Sequence, residues 1–221
     1  FGDIFTFITE MISAPLNSLM ANPVSMIFIQ VLIAFLWFFG IHNAVLSGPL
    51  SAVTLTMMTA NIDAYTNGST LPFAMASLVY GVCGAAGNAL GLVICLFFSK
   101  SARYKEMFKL GALPTIFNIT EPLNFGIPTV MNPIFFLPLV LSPLVAGFVS
   151  WGLMSTILPI PYNPTAEAIP WTTPGFVKFS LIGNWQFLLI YIIITAIVAL
   201  IWFPFVKVAD MKELQEEMKN K

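Results

Sequence analysis

One uncharged stretch near the middle of the chain decides the fold, and its residues, 73–98, read FAMASLVYGVCGAAGNALGLVICLFF. A bilayer core about 30 Å thick is crossed by roughly 20 apolar helical residues, so this stretch is long enough to cross it once. Three further apolar stretches meet or approach the same test, and they are Met26–Leu46, Pro133–Leu158 and Trp185–Val206. Trp185 and Trp202 bracket the last of these as interfacial anchors, with Lys207 just beyond. Hydropathy therefore predicts an all-α integral membrane protein.

Charge is too scarce in this chain to cover a water-soluble surface. Of the 221 residues, 58% are hydrophobic and 9% are charged, whereas soluble domains carry about 25% charged residues. Between Met11 and Ser99 the only charged residue is Asp63. A net charge of −1 without a basic stripe argues against a nucleic-acid partner. Cys83 and Cys95 share one apolar run and there is one histidine, so we expect buried cysteines and no metal site.

The positive residues predict which loops face the cytoplasm. A basic cluster directly follows residues 73–98 and consists of Lys100, Arg103, Lys105 and Lys109. The loop Ser47–Leu71 has no Lys or Arg and is predicted to face outward, with a turn at Asn67–Ser69. Residues 1–206 are predicted to form the membrane domain, and 207–221 a cytoplasmic tail in which Lys alternates with acidic residues as a solvated helix or linker. Residues 1–21 are predicted to be either an interfacial helix or the end of an earlier span.

The number of crossings predicts a re-entrant hairpin over Leu110–Asn132. If that stretch crossed the membrane, the basic tail would lie outside, whereas a stretch that dips in and returns leaves the tail inside. Pro114, Pro122 and Pro128 are expected to break a continuous helix here. Irregular backbone at membrane depth is tolerated only where protein buries it or water lines it, so this hairpin is expected to border a cavity. The proline-rich segment Pro159–Lys178 is either a surface loop or a second hairpin that dips from the opposite face.

Glu121 is the strongest candidate for a functional residue, because it lies in the middle of the first predicted hairpin. A carboxylate at membrane depth costs about 2.5–3.5 kcal/mol on insertion scales and is by default a hypothesis for a functional site. The competing interpretation is a structural carboxylate that caps the hairpin. The neighbouring Asn118, Thr120 and Asn124 add amide and hydroxyl groups, which suit a polyhydroxylated ligand better than a simple ion.

His42 is the second candidate, and it lies near the outer end of the first predicted span. Gly40 beside it allows a backbone or a ligand to approach closely. Trp37 lies five residues earlier, about 500° around a helix, so it is not directly beneath His42 but can face the same wide cavity. The glycine series around Gly87 and Gly91 is typical of close helix packing. His42 and Trp37 also have the ordinary interpretation of packing residues.

Three motifs together resemble one family. They are Gly40-Ile41-His42-Asn43, then Asn118-Ile119-Thr120-Glu121-Pro122 with Asn124-Phe125-Gly126-Ile127-Pro128, and then Pro170-Trp171-Thr172-Thr173-Pro174. This pattern resembles the lactose/cellobiose/chitobiose class of membrane IIC components of the bacterial phosphoenolpyruvate-dependent sugar phosphotransferase system. The resemblance covers essentially the whole chain, which looks like the C-terminal, substrate-binding half of a family member. It implies about four to five transmembrane helices and two re-entrant hairpins, as half of a larger transporter fold.

The resemblance implies group translocation of a β-linked disaccharide across the bacterial inner membrane, with the C-terminus in the cytoplasm. The phosphoryl group comes from a phosphorylated IIB partner, supplied indirectly by IIA, so the chain needs no cofactor and acts as a phosphotransferase only with IIB. Glu121 would be the catalytic base at the sugar 6-hydroxyl, with His42 orienting that hydroxyl or sharing its proton. Trp37 and Trp171 would face the sugar rings, with Gly40, Asn118 and Asn124 completing the pocket. The full-length protein is expected to be a homodimer.

Two other functions compete with this hypothesis. In a proton-coupled secondary transporter, Glu121 would relay protons and the sugar would stay unmodified. In an intramembrane hydrolase, His42 and Glu121 would act with a nucleophile, for which Ser47 is the nearest candidate, without an acidic residue beside it.

Overall fold

All regular elements that the computed structural model describes are helices, within residues 22–42, 44–86, 89–127 and 129–219. Eight of these elements are α-helices, and a 3₁₀ helix at Pro164–Ala168 precedes the last one. In chain order the α-helices are α1 (Pro23–Phe38), α2 (Ala44–Thr66), α3 (Ala74–Ala86), α4 (Ala89–Phe97), α5 (Ala102–Ile116), α6 (Glu121–Gly126), α7 (Pro133–Thr156) and α8 (Gly175–Lys219). The predicted all-α class is confirmed. The two alternatives for residues 1–21 lie outside the described residues.

Among the described residues, 133–156 and 175–219 are each long and apolar enough to cross a bilayer, and so is 74–97 when α3 and α4 are taken together across residues 87–88. They coincide with three of the predicted spans. The predicted first span, Met26–Leu46, is wrong as one helix, because α1 ends at Phe38 and α2 begins at Ala44. The physical reason is Gly40, whose φ of +75° reverses the chain. His42 therefore lies in a loop rather than within a span.

The predicted outward loop Ser47–Leu71 is also wrong over most of its length, because α2 runs from Ala44 to Thr66. Threonines can hydrogen-bond the local backbone and thereby favour turns, and the stretch lacks strong apolar periodicity. Here the hydroxyls instead donate to the carbonyl four residues earlier at 2.9–3.0 Å, in Thr54, Thr56 and Thr59. The predicted turn at Asn67–Ser69 is confirmed, with Gly68 at φ +65°.

The core lies where α7 packs against α1, α3 and α8. Phe135 of α7 and Trp202 of α8 are almost fully buried, with their ring centroids 5.8 Å apart. Cys83 and Cys95 are 2% and 3% exposed, which confirms the predicted buried cysteines. The predicted packing role of Gly91 is also confirmed, since a Cβ there would lie 3.0 Å from the backbone nitrogen of Ala199. Gly87 lies outside the described residues.

The first hairpin, residues 102–127, consists of α5 and the short α6, which returns along it. Leu123 of α6 occupies the space beside Gly111 of α5, and Met107 lies beside Gly126, so the two helices are antiparallel. Leu123 is fully buried in this contact. The expected break at Pro114 does not occur, because this proline lies inside α5, two residues before the helix ends. The returning shape of the predicted hairpin is present.

The second hairpin, residues 157–182, runs through an extended stretch, the 3₁₀ helix and the start of α8. The backbone N–H of Asn163 donates to the carbonyl of Ile182 at 2.7 Å, and Ile160 packs against Gly183. The two arms therefore lie side by side as a hairpin, and the dip of this hairpin into the membrane stays a prediction. At Gly183 and Asn184 the backbone leaves helical geometry, with Asn184 at φ +54°, so α8 is kinked before Trp185.

The end of α8 holds the beginning of the first hairpin. Asp210 is 6% exposed and accepts hydrogen bonds from the backbone N–H groups of Lys100 and Ser101 and from the Ser101 hydroxyl, at 2.7–2.9 Å. Glu217 accepts from the N–H groups of Ala102 and Arg103 at 3.1 and 3.2 Å. These carboxylates satisfy the free N–H groups at the N-terminus of α5.

Candidate functional site

The two candidate motifs begin at the same kind of helix end. At the end of α1, the N–H of Gly40 donates to Trp37 and that of Ile41 to Leu36, at 2.9 and 3.0 Å. This is the Schellman pattern, which requires a left-handed residue at the position that Gly40 occupies. The chain thus turns sharply just before His42, and glycine is needed because its φ is positive.

The end of α5 repeats that pattern with asparagine in place of glycine. The N–H of Asn118 donates to Thr115 and that of Ile119 to Pro114, at 2.9 and 3.0 Å, and Asn118 has φ +63°. Asparagine tolerates this conformation better than most other side chains. The turn places Glu121 as the first residue of α6, at the tip of the first hairpin.

These two turns bring Glu121 and His42 together. His42 Nε2 lies 3.5 Å from Glu121 Oε1, although 79 positions separate them in sequence, and both side chains are a little under half exposed. The Trp37 ring meets the His42 ring edge to face, with centroids 4.8 Å apart, and also lies 6.1 Å from the Phe125 ring. The two rings are therefore in contact, although neither Trp37 nor His42 lines the cavity described below. The pair can exchange a proton and can hold a hydroxyl from two sides.

Asn118 joins the two hairpins at their tips. Its side-chain Nδ2 donates to the backbone carbonyl of Trp171 at 2.7 Å and to that of Thr173 at 3.0 Å. Both amide hydrogens of Asn118 are therefore directed to the second hairpin. By contrast, Asn124 donates locally, to the hydroxyl of Thr120 at 3.2 Å.

A cavity of about 700 Å³ lies beside the hairpin tips, and its wall includes Asn118 and Trp171. It is bordered by α1, α2, α3 and α8, with mostly apolar side chains such as Ile33, Met57 and Phe179. Glu121 and His42 are not in this wall, so the candidate residues form two groups. Asn118 connects them, because it borders the cavity and lies three positions before Glu121 in the hairpin tip.

Two charged residues in the cavity wall, Glu167 and Lys178, were not selected from the sequence. Burial raises the pKa of the Glu167 carboxyl, and the Tyr162 hydroxyl and Lys178 oppose that shift. The Tyr162 hydroxyl in turn accepts from Asn61 Nδ2 at 3.3 Å, and Asn61 is fully buried. Glu167 is the only charged residue besides Glu121 between Leu110 and Val177. This scarcity of charge is the signal by which the sequence could have identified Glu167 as a candidate. Within the described ranges, no three His, Cys, Asp or Glu side chains gather to hold a metal ion.

Comparison with known proteins places the chain among sugar transport components. The profile of the family described as "Phosphotransferase system, EIIC" matches residues 1–143. The galactose-specific EIIC component of Lactococcus lactis subsp. cremoris (strain MG1363) is 46% identical over 98% of this chain and 49% of its own length. The oligo-beta-mannoside-specific EIIC component of Bacillus subtilis (strain 168) is 36% identical over 95% of this chain and 48% of its own.

A solved structure has the same fold. The crystal structure of the transporter ChbC, the IIC component from the N,N′-diacetylchitobiose-specific phosphotransferase system, matches with a TM-score of 0.86 and 28% identity. The match covers 99% of this chain and 52% of that one. The chain thus spans about half the length of the relatives that it matches.

Over nearly its whole length the chain therefore has the fold of a solved transporter. The family profile and the relatives define it further. The chain belongs to the EIIC family of the phosphotransferase system, whose members are integral membrane proteins.

Proposed function

We propose that this chain is the substrate-binding half of a phosphotransferase-system permease for a β-linked disaccharide of the cellobiose, diacetylchitobiose or lactose type. A IIB partner, itself supplied by IIA, phosphorylates the sugar at its 6-hydroxyl as it is carried inward. The protein works in the bacterial cell membrane as a homodimer of the full-length polypeptide, with its C-terminus in the cytoplasm. The basic residues that follow α4, and those from Lys207 onward in the last part of α8, support that orientation.

The observation that carries this proposal is the pairing of Glu121 with His42 at 3.5 Å beside Trp37. A carboxylate, an imidazole and an aromatic face within one surface match the needs of a sugar. The ring stacks on the apolar face, and a hydroxyl is held between an acceptor and a partner that can donate or accept. Two separate chain reversals, at Gly40 and Asn118, are needed to form this pair.

The chemistry at this pair is proton removal during phosphoryl transfer. Glu121 accepts the proton of the sugar 6-hydroxyl as O6 forms a bond to phosphorus, and the bond from phosphorus to the IIB cysteine sulfur breaks. The sulfur leaves as a thiolate, and the proton on Glu121 passes to solvent, with His42 orienting the hydroxyl. Phosphoryl transfer depends mainly on positioning and charge stabilisation, which such a pair supplies.

The test is sugar uptake into vesicles that contain the intact permease, with IIA, IIB and the general phosphotransferase enzymes inside. Lactose, cellobiose, diacetylchitobiose and galactose are compared, the last because a 46% identical relative is named galactose-specific. We expect uptake that requires phosphoenolpyruvate and delivers one of the three disaccharides as its 6-phosphate. Uptake of galactose alone would refute the disaccharide assignment. Uptake driven by a pH gradient, with the sugar unmodified, would instead indicate the proton-coupled transporter and refute phosphorylation.

A further inference from the structure

We infer that Asn118 is a positioning residue, which fixes Trp171 relative to Glu121, and that it does not serve chiefly as a direct sugar contact. This inference rests on the proposed function for its consequence in sugar binding. Its structural basis is independent of that function, because it lies in the hydrogen bonds between the two hairpin tips.

The side chain of Asn118 holds the second hairpin through two hydrogen bonds, and we call this contact the clamp. One side-chain amide donates both of its hydrogens to two carbonyls that lie two residues apart, those of Trp171 at 2.7 Å and Thr173 at 3.0 Å. Two simultaneous bonds from one planar group fix orientation as well as distance. Both donors of Asn118 are thereby used, and only its side-chain oxygen remains to accept a hydrogen from a ligand.

Trp171 depends on its backbone for its position. Its side chain is 65% exposed, so packing of the ring contributes little to holding it in place. The backbone is stiff at this point, because Pro170 and Pro174 flank the segment and the N–H of Thr173 donates to the carbonyl of Pro170 at 3.0 Å. A stiff turn anchored through two carbonyls therefore carries the ring to one place beside the cavity.

The backbone of Asn118, on the first hairpin, is fixed as well. Asn118 sits at the left-handed position of the helix end of α5, and Glu121 follows three residues later at the start of α6. The same residue thus ends one helix, aims the chain toward Glu121 and anchors Trp171. Glycine could supply the backbone conformation but could not supply the clamp.

This difference defines the first experiment, which does not depend on any sugar. Asn118→Gly keeps the positive φ and removes both hydrogen bonds, and Asn118→Asp is a second variant of similar size that lacks both donors. Met131→Gly is the matched control, because Met131 has φ +54° in a neighbouring loop and an exposed side chain. We expect faster hydrogen–deuterium exchange in residues 169–174 of the intact protein in both Asn118 variants, and unchanged exchange there in the control.

The second experiment measures dissociation constants for radiolabelled lactose and, in parallel, galactose, in a double-mutant cycle of Asn118→Gly with Trp171→Ala. We expect Asn118→Gly to weaken binding by up to about tenfold, the loss expected for Trp171→Ala, because the ring is no longer held in place. We also expect the double variant to bind little worse than Trp171→Ala, because the clamp acts through Trp171.

Each outcome bears on a distinct statement. Unchanged exchange in residues 169–174 overturns the clamp, and additive losses in the cycle show a direct contact of Asn118 with the sugar and overturn the positioning role. A lower melting temperature with unchanged affinity shows a merely structural role and also overturns it. If the parent protein binds neither sugar while exchange responds as expected, the choice of sugar or the proposed function fails, and the clamp stands.

Discussion

Glu121 is the single residue whose change should separate binding from chemistry. Glutamine has the same shape and can still hydrogen-bond a hydroxyl, but it cannot take up a proton. We expect Glu121→Gln to lower sugar phosphorylation by about 100-fold or more, with the dissociation constant of the sugar changed only a few-fold. The measurement is sugar 6-phosphate formed in the vesicle system, beside equilibrium binding of the labelled sugar.

Glu106→Gln is the matched control for this change, because Glu106 is an exposed carboxylate on the same hairpin. It should leave both quantities unaltered. Phosphorylation at the parent rate in Glu121→Gln would contradict the role of Glu121 as a base.

Trp171 is expected to contribute to affinity more than to rate. Trp171→Ala removes an exposed aromatic face beside the cavity, so we expect the dissociation constant to rise about tenfold, in line with the stacking of large aromatic rings. Phosphorylation at saturating sugar should change much less. Trp185→Ala is the control, because Trp185 is similarly exposed, 63% against 65%, and does not line the cavity. Equal affinities in the Trp171 variant and the parent would remove Trp171 from the pocket.

At the scale of helices, the contact between α4 and α8 depends on a glycine. A Cβ at Gly91 would lie 2.5 Å from Val198 Cγ1 and 3.0 Å from a backbone nitrogen, and backbone cannot move aside cheaply. We expect Gly91→Ala to lower the melting temperature in detergent, at a cost of about 1–3 kcal/mol for overpacking. Gly152→Ala, in helix α7 with open space around it, should be neutral or slightly stabilising. The same loss in both variants would refute the packing role.

The end of α8 stabilises the start of α5 through Asp210. This buried carboxylate accepts three hydrogen bonds, and Asp210→Asn replaces one acceptor oxygen with a donor that faces N–H groups. We expect a loss of about 1–3 kcal/mol of stability, measured as a lower melting temperature and faster hydrogen exchange at residues 99–105. Glu216→Gln, an exposed change on the same helix, should have no effect, and an unaltered exchange rate in Asp210→Asn would contradict the capping role.

The elements that the sequence predicted correctly are those decided by hydropathy alone. Residues 73–98 and the two later spans needed only length and the absence of charge. The first span was misread because hydropathy does not register a single left-handed residue, and Gly40 ends α1 inside an apolar run. Helix α2 was not predicted because threonine hydroxyls can hydrogen-bond to the backbone either in a turn or within a helix, and here they do so within the helix.

The site was predictable to the extent that a rare polar residue stands out in apolar sequence. This criterion found Glu121 and His42, and the motif resemblance added Trp171. It could not find the bond between Asn118 and Trp171, because 53 positions separate them and only the meeting of the hairpins creates it. Glu167 carried the same signal of rarity, but its neighbours in the cavity wall come from α3 and α8 and cannot be read locally.

At the scale of the whole molecule, the positions of Lys and Arg predict which end of the helix bundle faces the cytoplasm and which end faces outward. Single cysteines at Lys212 and Asn67, both exposed, are suitable probes, while native Cys83 and Cys95 are buried. We expect an impermeant maleimide to label Asn67→Cys only from outside and Lys212→Cys only after the membrane is opened. The reverse pattern, or labelling of both from one side, would contradict the predicted topology.

The first hairpin is attached at both of its ends to one stretch of chain. Its entrance is capped by Asp210 and Glu217 near the end of α8, and its tip is bonded to the residues that directly precede α8. A flap hinged at one end could swing open by itself. A segment attached on both sides of the kink at Gly183 and Asn184 cannot move unless both parts of α8 move with it. Any conformational change that alters the accessibility of Glu121 should therefore move α5, α6 and α8 together.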